Sequence, residues 1–191
     1  MTTDLGRPRD PRIDSAVLRS TVELLGESGY AELSVDAIAR RAGTSKPAIY
    51  RRWPSKAHLV HEAVFPINSG TELPDTGSLA GDVREMVQRT VAVLTTPAAR
   101  AALPGLVGEM AADLTLHAAL LARFGGILSR DMTVRLEKAS ARNEVRADVT
   151  AAEITEALAG ITFMALLTRG AALDDAWVER TANLILRGIS A

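Results

Sequence analysis

Between Ser34 and Pro54 the chain starts and stops two short helices in quick succession, and this run, SVDAIARRAGTSKPAIYRRW, constrains the fold more than any other. Ser34 is a side chain that caps a helix, and Asp36 follows in the first turn, where the helix dipole favours an acid. Ala37, Ile38 and Ala39 continue that helix until Gly43, a residue type that ends helices. Thr44 or Ser45 then caps a second helix with Pro47 in its first turn, where the missing N–H costs nothing. Pro54 disfavours continuation beyond Trp53. Two short helices joined by a tight glycine turn make a helix-turn-helix. Ile38, Ala39, Ala42 and Ile49 are the apolar or small positions that hold the pair together, leaving Thr44, Ser45, Lys46, Ala48, Tyr50 and Arg51 to face outward.

The rest of the chain reads as helix as well. Apolar residues recur at helical spacing, alanine, leucine and arginine dominate, and alternating β-branched runs are missing, so an all-α protein of about nine helices is expected. A first helix over 12–27 places Ile13, Ala16, Val17, Ser20 and Leu24 on one face and ends before Gly29. Ser55 caps a fourth helix containing Leu59, Val60, Ala63 and Val64. Residues 66–81 then collect proline, glycine and polar side chains, which marks the main boundary. The expected organisation is a three-helix helix-turn-helix head over 1–65 and a helical body over 66–191, with helices near 79–94, 98–114, 116–139, 151–168 and 174–187.

Composition narrows the chemistry. With 47% hydrophobic residues the chain can bury a core, yet no stretch approaches the roughly 18 uninterrupted apolar residues of a bilayer span, so no membrane partner is expected. Residues 1–12 carry Arg7, Arg9 and Arg12 with no apolar run of the kind a secretory signal requires, which points to the cytoplasm. The absence of cysteine excludes disulfides, thiolate zinc sites and thiol nucleophiles. Neither a glycine-rich phosphate loop nor a nucleophile elbow nor a metal triad is present, so neither an enzyme nor a cofactor is expected. The formal net charge is −1, but residues 1–65 hold ten Lys/Arg against eight Asp/Glu, a mild basic excess at the end that carries the helix-turn-helix.

An α-helix fits the major groove of B-DNA. On the second helix of the motif Lys46 has the reach for guanine acceptors and Ala48 for a thymine methyl, while Tyr50, Arg52 and Lys56 suit phosphates on the groove walls. Arg7, Arg9 and Arg12 form a basic arm that adds attraction independent of sequence. Trp53, at the end of the helix, is expected to pack inside the head. A helical interaction module that presents the same basic helix to an acidic protein is the competing reading; it predicts binding without sequence preference.

Over residues 30–59 the chain resembles the DNA-binding head of the tetracycline-repressor (TetR) family. The elements Ile-Ala-x-x-Ala-Gly-x-Ser, Ile-Tyr and a trailing Lys-x-x-Leu occur together at the family's spacing, behind a helix and the pair Gly29-Tyr30. The resemblance implies that Ser45, Lys46, Pro47, Ala48 and Tyr50 sit at groove-contacting positions and that Arg52 and Lys56 contact the DNA backbone; Ser34, Thr44 and Arg51 complete the candidate DNA-binding set. Asp36 departs from the pattern, since a well-known member has a basic, base-contacting residue there.

The same resemblance implies a body that senses a ligand and forms a homodimer through its last two long helices. The interface candidates there are Ile154, Leu158, Ile161, Ala165, Val178, Ile185 and Ile189. A homodimer sets two recognition helices about 34–36 Å apart, so the double-stranded DNA operator should be a near-palindrome. A small-molecule effector, mostly hydrophobic, is expected among Met86, Met110, His117, Leu121, Phe124, Met132, Phe163 and Met164, which offer adaptable apolar surface. Repression relieved by that effector is the expected logic. His58 and His61 are spaced to share a helix face, but no third ligand accompanies them, so no metal site is assigned.

Overall fold

The computed structural model describes residues 11–66, 75–169 and 173–191, apart from the side chains of residues 121, 123–130 and 169. Among the described residues there are nine helices and no strand. They are α1 (Pro11–Glu32), α2 (Val35–Arg41), α3 (Lys46–Tyr50), α4 (Lys56–Val64), α5 (Leu79–Leu94), α6 (Pro97–Ala112), α7 (Leu114–Ala141), α8 (Ala151–Arg169) and α9 (Asp175–Ile189). The all-α expectation holds. Arg7 and Arg9 lie outside the described residues.

Side-chain caps set most of these starts. The N–H groups of Ala37, Ala48, His58, Gly81 and Trp177 donate to Ser34, Ser45, Ser55, Ser78 and Asp174 respectively, each satisfying a donor that the first turn leaves without a helical partner. Gly29 breaks α1 with φ 73° and ψ 178°, after which helical structure resumes as far as Glu32. Gly43 takes φ 65° in the turn between α2 and α3, a left-handed conformation that a Cβ would strain.

The chain divides into two compact units, Met1–Pro66 with Ala101–Ala112 and Ile67–Arg100 with Asp113–Ala191. The sequence reading assigned everything after residue 65 to the body; by contrast, residues 101–112 of α6 group with the first unit. Their place there has a local cause. Gly105 lies under the Tyr30 ring, where a Cβ would stand 2.1 Å from Cδ1, and the Tyr30 hydroxyl donates to Glu109 Oε1 at 2.7 Å. Burial and the Glu109 carboxylate together push the phenol's pKa upward, so it stays a neutral donor.

In the first unit α1 packs on α2 and α4, and α2 on α3. Val17, Leu25, Ile38, Ile49, Leu59 and Val60 are almost fully buried there. Burying an aliphatic side chain of this size contributes about 1.5–3 kcal/mol. In the second unit α5 packs on α7, α8 and α9, and α7 on α8, around Val83, Met86, Met132, Leu158, Trp177 and Ile185. Its core also contains an ion pair: Asp82 Oδ1 accepts from Arg135 Nη1 at 3.0 Å and from the Thr76 N–H and hydroxyl. Behind α7 the chain returns to the end of α9, where the Arg146 N–H donates to the Ile189 carbonyl.

Among the described residues α8 is long and apolar enough over Ala151–Thr168 to cross a membrane, although Glu153 and Glu156 interrupt it. In this fold its Ile154, Leu158 and Ala165 edge is buried in the core of the second unit.

Candidate nucleic-acid interface

The helix-turn-helix is built around Ile38 and Ile49, at 0% and 1% exposure, with Ala39 buried beside them and Ala42 half-buried. These are the positions assigned to the inner face. Fixing Ile49 inward turns the other side of α3 outward: Ser45, Lys46, Pro47, Tyr50 and Arg51 are exposed, and Thr44 and Ala48 are half-buried. Ser34 is exposed too, but its hydroxyl, like that of Ser45, accepts a backbone N–H as a cap.

The cations on and around this face differ in their freedom. Lys46 Nζ lies 2.7 Å from Asp36 Oδ2, with both side chains exposed. That hydrogen bond, with the charge behind it, raises the lysine's pKa above its ordinary value. Arg52 points the other way. Its Nε pairs with the Asp14 carboxylate of α1, its Nη1 donates to the Ala48 carbonyl at 3.3 Å, and the two paired side chains are only 15% and 19% exposed. Lys56 is also held within the head, with Nζ 4.2 Å from the centroid of the Tyr30 ring and donating to the Tyr30 carbonyl at 3.1 Å. A cation over an aromatic face gains from the ring's quadrupole. Arg41 forms a two-pronged pair with Glu27, which ties α2 to α1.

Two partners in this arrangement escape a sequence reading. Asp14 stands far from Arg52 along the chain, and only packing of α1 brings them together. Asp36 is visible as a first-turn acid, yet nothing local announces that it reaches the next helix. Trp53 packs as expected, 3% exposed, with its indole N–H donating to Glu62 Oε2 at 2.9 Å. His58 Nδ1 meets the Ser55 hydroxyl at 2.9 Å, and His61 is buried with its ring 5.3 Å from that of Phe65.

The residues assigned to the body fall differently. Ile154, Leu158, Ala165, Val178, Ile185 and Ile189, six of the seven interface candidates, are between 1% and 9% exposed in the second unit's own core, and Ile161 packs against it. Side chains packed this far into the protomer's own core leave little surface for a partner, so the six buried candidates serve that core. The large apolar side chains that α8 and α9 leave outside are Met164, Leu167 and Leu184, at 57%, 59% and 64% exposure.

Among the effector candidates Met86 and Met132 are likewise core residues. Met110 is half-buried in the first unit, His117 and Phe163 are half-buried in the second, and Met164 is exposed. The side chains of Leu121 and Phe124 lie outside the described residues. A groove of ≈470 Å³ in the second unit is lined by residues including Leu136, Ser140, Val145 and Thr150, which lie outside the expected effector set.

Against known proteins, residues 17–63 match the family model described as bacterial regulatory proteins, tetR family, and residues 73–185 match the tetracyclin repressor-like C-terminal domain. The chain belongs to the TetR family. It is a DNA-binding transcriptional regulator of the helix-turn-helix type. The chain is 28% identical over 194 residues to the uncharacterized HTH-type transcriptional regulator YdeS of Bacillus subtilis, covering 100% of this chain and 96% of that one. It is 30% identical over 181 residues to the DNA-binding transcriptional repressor TetR of Mycobacteroides abscessus, covering 90% of each. Among solved structures, the TetR family transcription regulator SCO0332 superposes with a TM-score of 0.70 at 29% identity, over 94% of this chain and all of that one. That solved structure shares the helix-turn-helix head and the helical body alike.

Proposed function

We propose that this TetR-family chain is a repressor that binds a near-palindromic operator as a homodimer and is released by a small, mostly hydrophobic effector. The observation that carries the DNA side is the exposed face of α3, where Lys46, Pro47, Tyr50 and Arg51 project while Ile49 anchors the helix from behind. Lys46 reads base edges, Ala48 meets a thymine methyl, and Tyr50 and Arg51 contact phosphate. Arg52 and Lys56, engaged by Asp14 and Tyr30, serve the framework of the head. Repression is supported by the name of the Mycobacteroides abscessus relative, a transcriptional repressor.

In this reading the homodimer forms through the outward faces of α8 and α9, with Met164, Leu167 and Leu184 as the apolar contacts. The half-buried His117 and Phe163 are the effector contacts retained from the sequence reading. Effector binding lowers DNA affinity by favouring a state with the wrong separation of recognition helices, a coupling commonly worth about 1–3 kcal/mol. Acting on DNA, such a protein works in the cytoplasm.

The test is binding of the purified protein to DNA flanking its own gene, read by fluorescence anisotropy in excess nonspecific competitor. Saturable binding to a near-palindrome with two protomers per site is the expected result, and Tyr50→Phe should weaken every sequence alike. Binding that ignores sequence and vanishes with salt would replace the repressor with a charge-driven interaction module.

A further inference from the structure

The reading lysine is not free. Lys46 opens α3 on the outward face, and its ammonium sits 2.7 Å from a carboxylate supplied by the preceding helix. Both side chains are exposed, at 45% and 60%, and an exposed pair of this kind contributes next to nothing to the stability of a fold. Its position at the outward surface of the helix-turn-helix therefore calls for a different explanation from the Arg52–Asp14 pair, which is mostly buried and braces α1 against the end of α3.

A lysine is a compact, strongly hydrated charge on a flexible four-carbon stem with three donors. Left alone beside DNA, such a group seeks the nearest phosphate, because phosphates carry the charge and dominate attraction. A carboxylate at hydrogen-bond distance changes that preference in three ways. It takes one of the three donors, it restricts the stem to conformations that keep the contact, and it places a negative charge where a phosphate would otherwise be drawn in. The two remaining donors suit a neutral acceptor pair, and guanine presents one, O6 and N7, in the major groove.

We propose that Asp36 is a specificity-determining positioning residue: by holding Lys46 it turns a phosphate-seeking cation into a reader of guanine. The inference rests on the reading of α3 as the recognition helix. Asp36 acts through Lys46, and the pair as a unit carries no net charge to the DNA, so it contributes discrimination in place of general attraction.

The experiment selects bound duplexes from a random-sequence library with the full-length protein, then measures affinities of the selected site and its single-base variants across a salt series. Compared are the wild type, Asp36→Ala, Asp36→Asn, Asp36→Glu and Lys46→Ala, each checked for native helicity by circular dichroism. The wild type should prefer guanine at one position in each half-site. Asp36→Ala and Asp36→Asn should lose about tenfold of that discrimination or more. They should bind random DNA at least as well as the wild type, with a log–log salt slope steeper by about one unit per protomer as Lys46 turns to phosphate. Asp36→Glu should restore both properties in part, and Lys46→Ala should erase the same guanine preference.

Asp36 variants that keep every base preference and merely gain affinity uniformly would overturn the proposal, leaving the acid as a bystander charge. If at the same time Lys46→Ala loses the guanine, only the Asp36 inference falls and the recognition-helix reading stands. A Lys46→Ala protein with unchanged preferences, or a wild type that selects no motif, removes the reading itself and the inference with it.

Discussion

The two units of this chain are stabilised by different means. In the first, the helix-turn-helix helices are short, α3 running only from Lys46 to Tyr50, and they depend on serine caps, a glycine turn and ion pairs that link one element to the next. In the second, the helices are longer, the core is a continuous apolar cluster, and the Asp82–Arg135 ion pair is buried inside it. Local signals dominate where helices are too short to stand on their own propensity; long-range burial dominates where they are not. The consequence for function is that the first unit can devote a whole helix face to a partner, because its fold does not depend on that face.

The largest effect that would break this comparison lies in the second unit. Asp82→Ala takes from the Arg135 guanidinium, 8% exposed, its buried carboxylate at 3.0 Å and leaves it the exposed Asp75 at 3.7 Å, and should cost about 3 kcal/mol of stability in chemical denaturation; a loss no larger than that of a surface substitution would remove the buried pair from the account. Next comes Arg52→Ala. It should lower stability by about 2 kcal/mol through the loss of charged hydrogen bonds to Asp14 and Ala48, whereas Arg51→Ala should leave stability alone and weaken DNA binding. The opposite pattern, an unaltered melting curve for Arg52→Ala with weakened DNA binding, would restore Arg52 as a phosphate contact.

Ser45→Ala should cost about 1 kcal/mol, since it removes the side-chain acceptor that caps α3. Hydrogen exchange at Ala48 checks whether that loss is local to the recognition helix.

The smallest effect is a dependence on acid. Asp75, Glu144, Asp148 and Glu153 of the second unit, and Glu27 of the first, are held below their ordinary carboxylate values of 3.8 for Asp and 4.5 for Glu, chiefly by hydrogen bonds from Lys138, Arg142, Arg146, Thr150 and Arg41 respectively. A carboxylate whose folded pKa is lowered stabilises the fold above its unfolded value and loses that contribution as the pH falls through the folded one. Stability should therefore be flat from neutrality to about pH 4.5 and decline below it. All five groups are solvent-exposed, so the decline should be slight and further weakened by salt; a marked fall well above that pH would point to a different titrating group.

The same contrast explains what the sequence made legible. Ser34, Ser45 and Ser55 act on their immediate neighbours, so the starts of α2, α3 and α4 could be read to within a residue, whereas α3 stops at Tyr50, three residues before the end near Trp53 that Pro54 suggests. The inward set of Ile38 and Ile49 could be read as well, because in a short amphipathic helix only one face is apolar. In α8 this logic fails. Ile154, Leu158, Ala165, Met164 and Leu167 put apolar residues on both sides of the helix, and periodicity cannot say which side meets its own protomer. The structure buries Ile154, Leu158 and Ala165 and leaves Met164 and Leu167 outside. Two members of the effector set meet a related limit: methionine fills cores as readily as it lines cavities, and Met86 and Met132 do the former. Asp14 and Asp36 were overlooked as partners because their contacts are made across elements.

The five-residue length of α3 has one more consequence. Ile49 is its sole buried side chain, and the remaining positions touch the interior little or not at all. Lys46, Pro47, Tyr50 and Arg51 are thus open to replacement at little cost to the fold, so duplicated copies of such a gene can drift toward new target sites by a few surface changes. The same economy makes the segment a natural cassette for retargeting, in which the residues to randomise are already separated from those to keep.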